Sequence, residues 1–455
     1  MGASSTPKAR PPTEAGSDRG ELTPRFDAAR RDARSAGSPG AGEPGRTGHV
    51  LAAERWLLRR LLRRLGDPAI RVALWDGQPV DAHVEQPVAV VHIHDRRTLL
   101  ELVIHPEVAF GDAYSDGRIE VEGDLRKFLE VMFSTSTPTN VSRGSLPRRL
   151  SWWLSRLHSN TIGRSRRDVH HHYDIKTDFY RMWLDEQLVY TCAYFADPSM
   201  TLDEAQRAKM DYVCRKLRLR PGETVAEAGF GWGSLALHMA RHYGVRVRAC
   251  NLSHAQTLFA RERAKAEGLA SQVEFIKDDY RNLSGRFDVF VSVGMLEHVG
   301  RRYYRQLGRV VDRCLKPHGR GLIHSIGRDR PMPFQGWIDR RIFPGAYPPS
   351  LREMMHVFEP FRFSVRDVEN LRPHYARTLE HWLARYEAQK DRVAEMFDER
   401  FVRMWRLYLT GSIAGFTAGS LQLYQILFAR AGATGIPWTR AWLYADRGSA
   451  ADSPC

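Results

Sequence analysis

Hydrophobic and polar positions change rhythm three times along the chain. Up to about residue 48 there is no apolar period, only Ala, Gly, Pro, Ser and Arg, so residues 1–48 are expected to form a disordered tail. Helical spacing begins with "ERWLLRRLLRRLG", where Trp56, Leu57, Leu58, Leu61, Leu62 and Leu65 share one face and Arg59, Arg60, Arg63 and Arg64 the other. "IRVALWDG" and "VAVVHIHD" read as short strands, "LLELVIH" as a helix, and "RIEVEGDLRKFLEVMF" as strand, turn and helix. These elements predict a small α+β domain over residues 50–135. Residues 136–168 read as a linker with an amphipathic basic stretch, Trp152, Trp153, Leu154 and Leu157 beside Arg148, Arg149 and Arg156.

From residue 169 a third rhythm takes over. Strand-like "TVAEAG", "VRVRAC", "VEFIKDD" and "DVFVSVG" alternate with helix-like "SLALHMARHY" and "SHAQTLFARERAKAEG". Such alternation predicts an α/β fold with a doubly wound, mostly parallel sheet over 169–430, followed by a C-terminal tail over 431–455. One run stands out. Residues 407–429, "LYLTGSIAGFTAGSLQLYQILFA", carry no charge and are long enough to cross a bilayer. Their glycines, hydroxyls and glutamines are too polar for a lone lipid-facing helix, and the run is expected to be buried in a soluble domain.

Composition narrows the partners. With 455 residues and 43% hydrophobic content the chain can bury a real core, and its formal charge of +15 favours an anionic partner: nucleic acid, an acidic small molecule or a phospholipid surface. Cys192, Cys214, Cys250, Cys314 and Cys455 are odd in number and lack C-x-x-C spacing, which argues against a disulfide framework or a zinc site and for a reducing cytoplasm. No apolar segment follows the N-terminal charges, so no signal peptide is expected.

The first strand of the third region runs into "EAGFGWGS". Gly229, Gly231 and Gly233 let the main chain take unusual torsions and approach a ligand closely. The lysine of a phosphate-binding GxxxxGK[ST] loop is missing, and the spacing is not the G-x-G-x-x-G of dinucleotide sites. An E-x-G-x-G-x-G turn, here opened by Glu227, is instead the pattern by which Rossmann-like methyltransferases hold S-adenosylmethionine.

Longer motifs flank this turn: "HHYDIKTDFYRMWLDEQLVYTCAYF", "NLSHAQ", "DDYRNL", "VSVGMLEHVG", "GLIHSIG", "IFPGAYPPSLREM", "LRPHYARTLEHW" and "YLTGSIAGF". In this order and spacing they resemble the cyclopropane-fatty-acyl-phospholipid synthases and the mycolic acid cyclopropane synthases over about residues 165–430. "FGDAYSDGRIEVEGDL" extends the resemblance more loosely into the N-terminal domain. The resemblance implies a Rossmann-like enzyme that uses S-adenosylmethionine to add a methylene unit to the cis double bond of unsaturated acyl chains in membrane phospholipids. It further implies a carbocation deprotonated by bound bicarbonate, held by Cys192, Glu297, His324, Ile326 and Tyr375. Tyr190, Thr191, Glu227 and the three glycines would border the cofactor, Asn251, Leu252, Ser253 and Gln256 would take the place of the family's T-L-S-x-x-Q, and Tyr280 and Arg281 would flank adenine.

Two positions depart from the pattern. Phe230 and Ser412 stand where the family often has cysteine, and Ser412 occupies a position that has been regarded as an active-site residue. A mechanism without a covalent cysteine predicts that activity survives, with a changed product as the alternative: a methylene or methyl-branched chain. The consecutive His170, His171 and His172 point in different directions and cannot converge on one ion, so no metal is expected. The basic stretches 55–65 and 147–157 suit peripheral attachment to an anionic membrane at its cytoplasmic face, and a homodimer is expected by family analogy. A nucleic-acid methyltransferase is disfavoured: no [DNS]-P-P-[YFW] motif follows the fourth strand, and aromatics are not interleaved with the basic runs. A non-catalytic lipid carrier is disfavoured by the intact set of bicarbonate residues.

Overall fold

The computed structural model describes residues 49–80, 84, 86–135, 177–434 and 437–444. The expected tail over 1–48, the linker over 136–168 with its tryptophans, and the histidines at 170–172 lie outside the described residues. The N-terminal layer contains α1 (Ala52–Arg64), β1 (Arg71–Ala73), β2 (Ala89–Ile93), α2 (Arg96–Ile104), α3 (Pro106–Ser115), β3 (Ile119–Gly123) and α4 (Leu125–Thr135). β2 is the middle strand, parallel to β1 and antiparallel to β3. The apolar stripe of α1 is divided: Leu58 and Leu62 are buried, while Trp56 is 57% exposed. α3 has no hydrophobic period that would announce it. Its small residues make room instead, since a Cβ on Gly111 would lie 2.5 Å from the ring of Trp337.

The second layer contains α5 (Thr177–Arg181), α6 (Leu202–Lys216), β4 (Thr224–Ala228), α7 (Ser234–Tyr243), β5 (Arg246–Asn251), α8 (His254–Ala266), β6 (Val273–Lys277) and β7 (Phe287–Val293). It continues through α9 (Leu296–Val299), α10 (Tyr304–Cys314), β8 (Leu315–Gly327), α11 (Gly336–Arg341), α12 (Leu351–Met354), β9 (Phe363–Asn370), α13 (Arg372–Glu387), α14 (Lys390–Met396), α15 (Glu399–Thr417) and β10 (Gln422–Arg430). The strand order is β6-β5-β4-β7-β8-β10-β9, and β10 is antiparallel to both of its neighbours. The other pairings are parallel. β7, "FDVFVSV", is buried at nearly every position, as a central strand covered on both faces must be. The strand order reverses between β4 and β7, and a ligand crevice forms beyond the carboxyl ends at such a point.

The uncharged run 407–429 is not one element. Its first part is the buried C-terminal half of α15, a turn follows, and its last part is β10, slotted between β8 and β9. No helix among the described residues is long and apolar enough to cross a membrane. α15 also receives the N-terminal layer. Arg403 donates to the Tyr114 carbonyl at 2.6 Å and the Ile119 carbonyl at 3.0 Å, and Arg126 bridges to Glu380 at 2.7 Å. One hydrophobic core runs from Leu58 through Phe128 to Trp405 and Leu423. Part of the expected C-terminal tail is packed rather than loose: Leu443 is buried, and Arg440 pairs with Asp367 on β9.

Candidate active site

The glycines after β4 divide their work. All three have left-handed torsions, Gly229 at φ +86°, Gly231 at +54° and Gly233 at +87°. Gly229 and Gly231 line a cavity at the carboxyl end of the sheet, and a Cβ on Gly231 would meet nothing within 4 Å. Gly233 does not line the cavity. A Cβ there would lie 2.7 Å from the Phe275 ring and 2.9 Å from Ala260, so this glycine allows α7 to pack closely against α8 and β6. Phe230 also packs at a tilt against Phe275, 4.7 Å between centroids, and lines the cavity as well.

The same cavity is bordered by Tyr190, Thr191, Glu227, Asn251, Leu252 and Gln256. At the end of β5, Asn251 donates to Gln256 Oε1 at 2.7 Å, which leaves the buried Gln256 Nε2 without a partner. Ser253 takes a different role from the one expected. It lies outside the lining, and its hydroxyl accepts the Gln256 N–H at 3.3 Å as the N-cap of α8. Tyr280 and Arg281 complete one wall, with Asp279 holding the guanidinium at 2.7 Å. Tyr190 closes the opposite side and bonds hydroxyl to hydroxyl with Tyr408 of α15 at 2.9 Å.

Two buried ionisable groups face this cavity. Glu227 Oε2 has no hydrogen-bond partner, and burial pushes its carboxyl up to about 8. Lys209 of α6, which sequence reasoning missed, lies 3.0 Å from Thr191 Oγ1, and burial brings its ammonium down to about 8. A signal for it exists in the sequence. Leu202, Ala205, Gln206, Lys209, Val213 and Lys216 form the buried stripe of α6, so a lysine stands where helical spacing calls for an apolar residue.

A second polar group lies along β8. Glu297, at the start of α9, accepts the Ile326 N–H at 2.5 Å, and its other oxygen is buried and unpartnered. Burial pushes this carboxyl up to about 7. His324 precedes Ile326 by two residues, so both point to one face of the strand. Its Nε2 is buried without a partner, and burial holds the imidazole well below its ordinary value. Cys192 and Tyr375 meet through Thr378: the N–H of Ala193, next to Cys192, donates to Thr378 Oγ1 at 3.0 Å, one helical turn from Tyr375. Burial raises the Cys192 thiol, which keeps it protonated. Ile326 packs against the core cluster that includes Cys192 and Tyr375. Ser412 is turned elsewhere, donating to the Tyr408 carbonyl of its own helix at 2.8 Å.

Another residue that sequence reasoning missed is Gln425. It lies directly opposite His324 in the β8–β10 pairing, with its amide nitrogen 3.0 Å from His324 Nδ1. Among the described residues no cluster of His, Cys, Asp or Glu could hold a metal ion.

A mostly parallel seven-stranded sheet with an antiparallel insertion and a glycine turn opening into a polar cavity define the Rossmann-like methyltransferase fold class. Within that class the chain belongs to the mycolic acid cyclopropane synthetase family, whose model matches residues 160–426. A model described as a domain of unknown function matches residues 57–141. A "Probable fatty acid methyltransferase" of Pseudomonas putida is 36% identical over 387 residues, covering 82% of this chain and 96% of that protein. The "Cyclopropane-fatty-acyl-phospholipid synthase" of Escherichia coli strain K12 is 40% identical over 260 residues, 57% of this chain and 66% of that one. The crystal structure of mycolic acid cyclopropane synthase CmaA1 complexed with SAH and CTAB superposes with a TM-score of 0.56 at 30% identity, covering 58% of this chain and 98% of that chain.

Proposed function

We propose that the chain adds a methylene unit from S-adenosylmethionine to the cis double bond of unsaturated acyl chains in membrane phospholipids, closing a cyclopropane ring. The observation that carries this reading is the pair of buried, unpartnered atoms Glu297 Oε2 and His324 Nε2, on a glutamate whose other oxygen accepts the Ile326 N–H and a histidine two residues before Ile326 on β8. Buried polar atoms without partners are costly, and their complement is a small polar ligand such as bicarbonate. Glu297 would accept the hydroxyl of such an ion, while His324 and Tyr375 would donate to its oxygens.

The cofactor cavity fits its proposed occupant on the same grounds. Gly231 leaves space at the main chain, and Glu227 and Gln256 present unpaired polar atoms. When bound there, S-adenosylmethionine supplies an electrophilic methyl group. The alkene π-bond would take that methyl group as its bond to sulfur breaks, and Glu297, His324 and Tyr375 would hold the bicarbonate that accepts the proton lost from the new methyl group as the ring closes. Tyr190 and Trp232 border the cavity and are backed by the buried rings of Tyr180, Trp183 and Trp382, an aromatic cluster that supports a dry site beside the acyl cation.

The acyl chain would be drawn from a membrane at its cytoplasmic face. Exposed Leu51, Trp56, Leu100 and Ile104 on or beside α1 and α2, next to the exposed Arg59, Arg60, Arg63 and Arg64, support attachment to an anionic surface. A second reading, methyl transfer that ends in a methylene or methyl-branched chain, is kept by the Pseudomonas putida relative named as a probable fatty acid methyltransferase, which covers 82% of this chain.

The test is to incubate the protein with S-adenosylmethionine and vesicles of a cis-monounsaturated anionic phospholipid, then analyse the acyl chains. Gain of CH2 with loss of the alkene and appearance of ring protons is expected. Gain of CH2 with a surviving alkene selects the second reading, and unaltered lipid rejects both.

A further inference from the structure

Helix α6 carries two buried lysines two turns apart, and their surroundings differ. Lys216 is 1% exposed and is neutralised by carboxylates: Glu369 pairs with its ammonium, and Asp367 lies 3.9 Å away. Lys209 is 2% exposed, and no carboxylate oxygen lies within 4 Å of its ammonium among the described residues. Its hydrogen bond is to a neutral hydroxyl, Thr191 Oγ1. Asp185 is committed elsewhere, accepting the Val189 N–H at 2.8 Å and the Gln187 N–H at 3.0 Å.

Glu227, on the same cavity, shows the converse condition, a buried carboxyl with one oxygen unpartnered, near enough to Lys209 for each to favour the other's charged form but without an ion-pair contact between them. A buried ionisable group held short of contact with its counter-charge is costly, and a ligand that supplies the missing contact offsets that cost. Lys209, Thr191 and Glu227 all border the cavity. A ligand complementary to this wall must carry an anion and a cation a few bonds apart. An α-amino-acid zwitterion has that arrangement. Gly231 of the turn leaves space for the remainder of such a molecule along the main chain.

We infer that Lys209 binds the carboxylate of the amino-acid end of the cofactor, paired with Glu227 on its ammonium, so that the cavity recognises a zwitterion by an opposed charge pair. The inference rests on the cofactor reading above. It assigns Lys209 to binding, and it makes Thr191 the hydroxyl that holds the lysine in position.

The test is calorimetric binding to the full-length protein of two thioethers: S-adenosylhomocysteine and its decarboxylated analogue 5′-(3-aminopropylthio)adenosine. Wild-type protein is expected to bind the analogue at least tenfold more weakly. In Lys209→Gln, which keeps an N–H for Thr191 but no charge, and in Lys209→Met, S-adenosylhomocysteine is expected to weaken at least tenfold and the analogue less than twofold. Equal weakening of both thioethers would mean that Lys209 supports the fold alone and would overturn the inference. Binding of the two within twofold of one another by wild-type protein would overturn it however the variants fold. Failure of wild-type protein to bind either thioether would instead reject the cofactor reading, and this inference with it.

Discussion

Gln425 and His324 face each other across the antiparallel β8–β10 pairing, with the Gln425 amide nitrogen 3.0 Å from His324 Nδ1. With the amide N–H donating, Nδ1 accepts and the ring proton sits on Nε2, a buried atom without a partner. Gln425→Leu is expected to lower turnover at least tenfold while cofactor KM changes less than twofold. Ring nitrogen NMR of His324 is expected to show a single Nε2–H tautomer in wild-type protein and a mixture in the variant.

Glu297 links function to pH-dependent stability. Its folded-state carboxyl is raised to about 7 by burial, so between its ordinary range near 4.5 and 7 the native state binds more protons than the unfolded one. Stability contributed by this residue therefore falls as pH rises through that window and is level above it. Glu297→Gln removes the loss, and the variant's advantage in ligand-free denaturation is expected to grow by about 3 kcal/mol between pH 5 and pH 8. The same variant is expected to bind S-adenosylhomocysteine within twofold of wild type and to lose most of its turnover.

The glycine turn separates into a ligand-facing and a packing position. Gly231→Ala places its Cβ in open space and costs only the left-handed torsion, about 1 kcal/mol, yet is expected to weaken S-adenosylhomocysteine at least tenfold. Gly233→Ala drives a Cβ into Phe275 and Ala260 and is expected to destabilise by about 2–4 kcal/mol. The molecules that remain folded should bind nearly as wild type. Thermal unfolding and calorimetry measured on both variants check the contrast.

Ser412 donates to a carbonyl of its own helix, a bond that a thiol replaces with little disturbance. Ser412→Cys is expected to leave turnover within twofold of wild type and the lipid product unchanged. Acyl-chain analysis of the two proteins side by side measures both.

The parallel sheet was legible because β4 to β7 are short apolar runs punctuated by turns, a pattern that depends on the strands themselves. α3 was not, since its Ala109, Gly111 and Ala113 earn their burial by letting Trp337 and α15 approach, which no local period reveals. The uncharged run 407–429 has one composition throughout. It becomes helix and then strand because β10 fills a gap between two strands distant in sequence. At the site, the glycines, Asn251 and Glu297 were found by motif, whereas Ser253 and Gly233 share those motifs for reasons of capping and packing. Lys209 and Gln425 escaped notice because a charge or an amide in a buried stripe reads as surface until its neighbours are known.

The insertion of β10 between β8 and β9 has a consequence for synthesis. A nascent chain emerging from the ribosome in order presents β8 and then β9, but these two cannot pair directly without occupying the slot reserved for residues 422–430. Until that last strand is translated, two unpaired edges stand exposed and His324 lacks its amide partner. The His324–Gln425 contact therefore waits for residues 422–430, and a chain that stops before them leaves β8 and β9 without the strand that joins them.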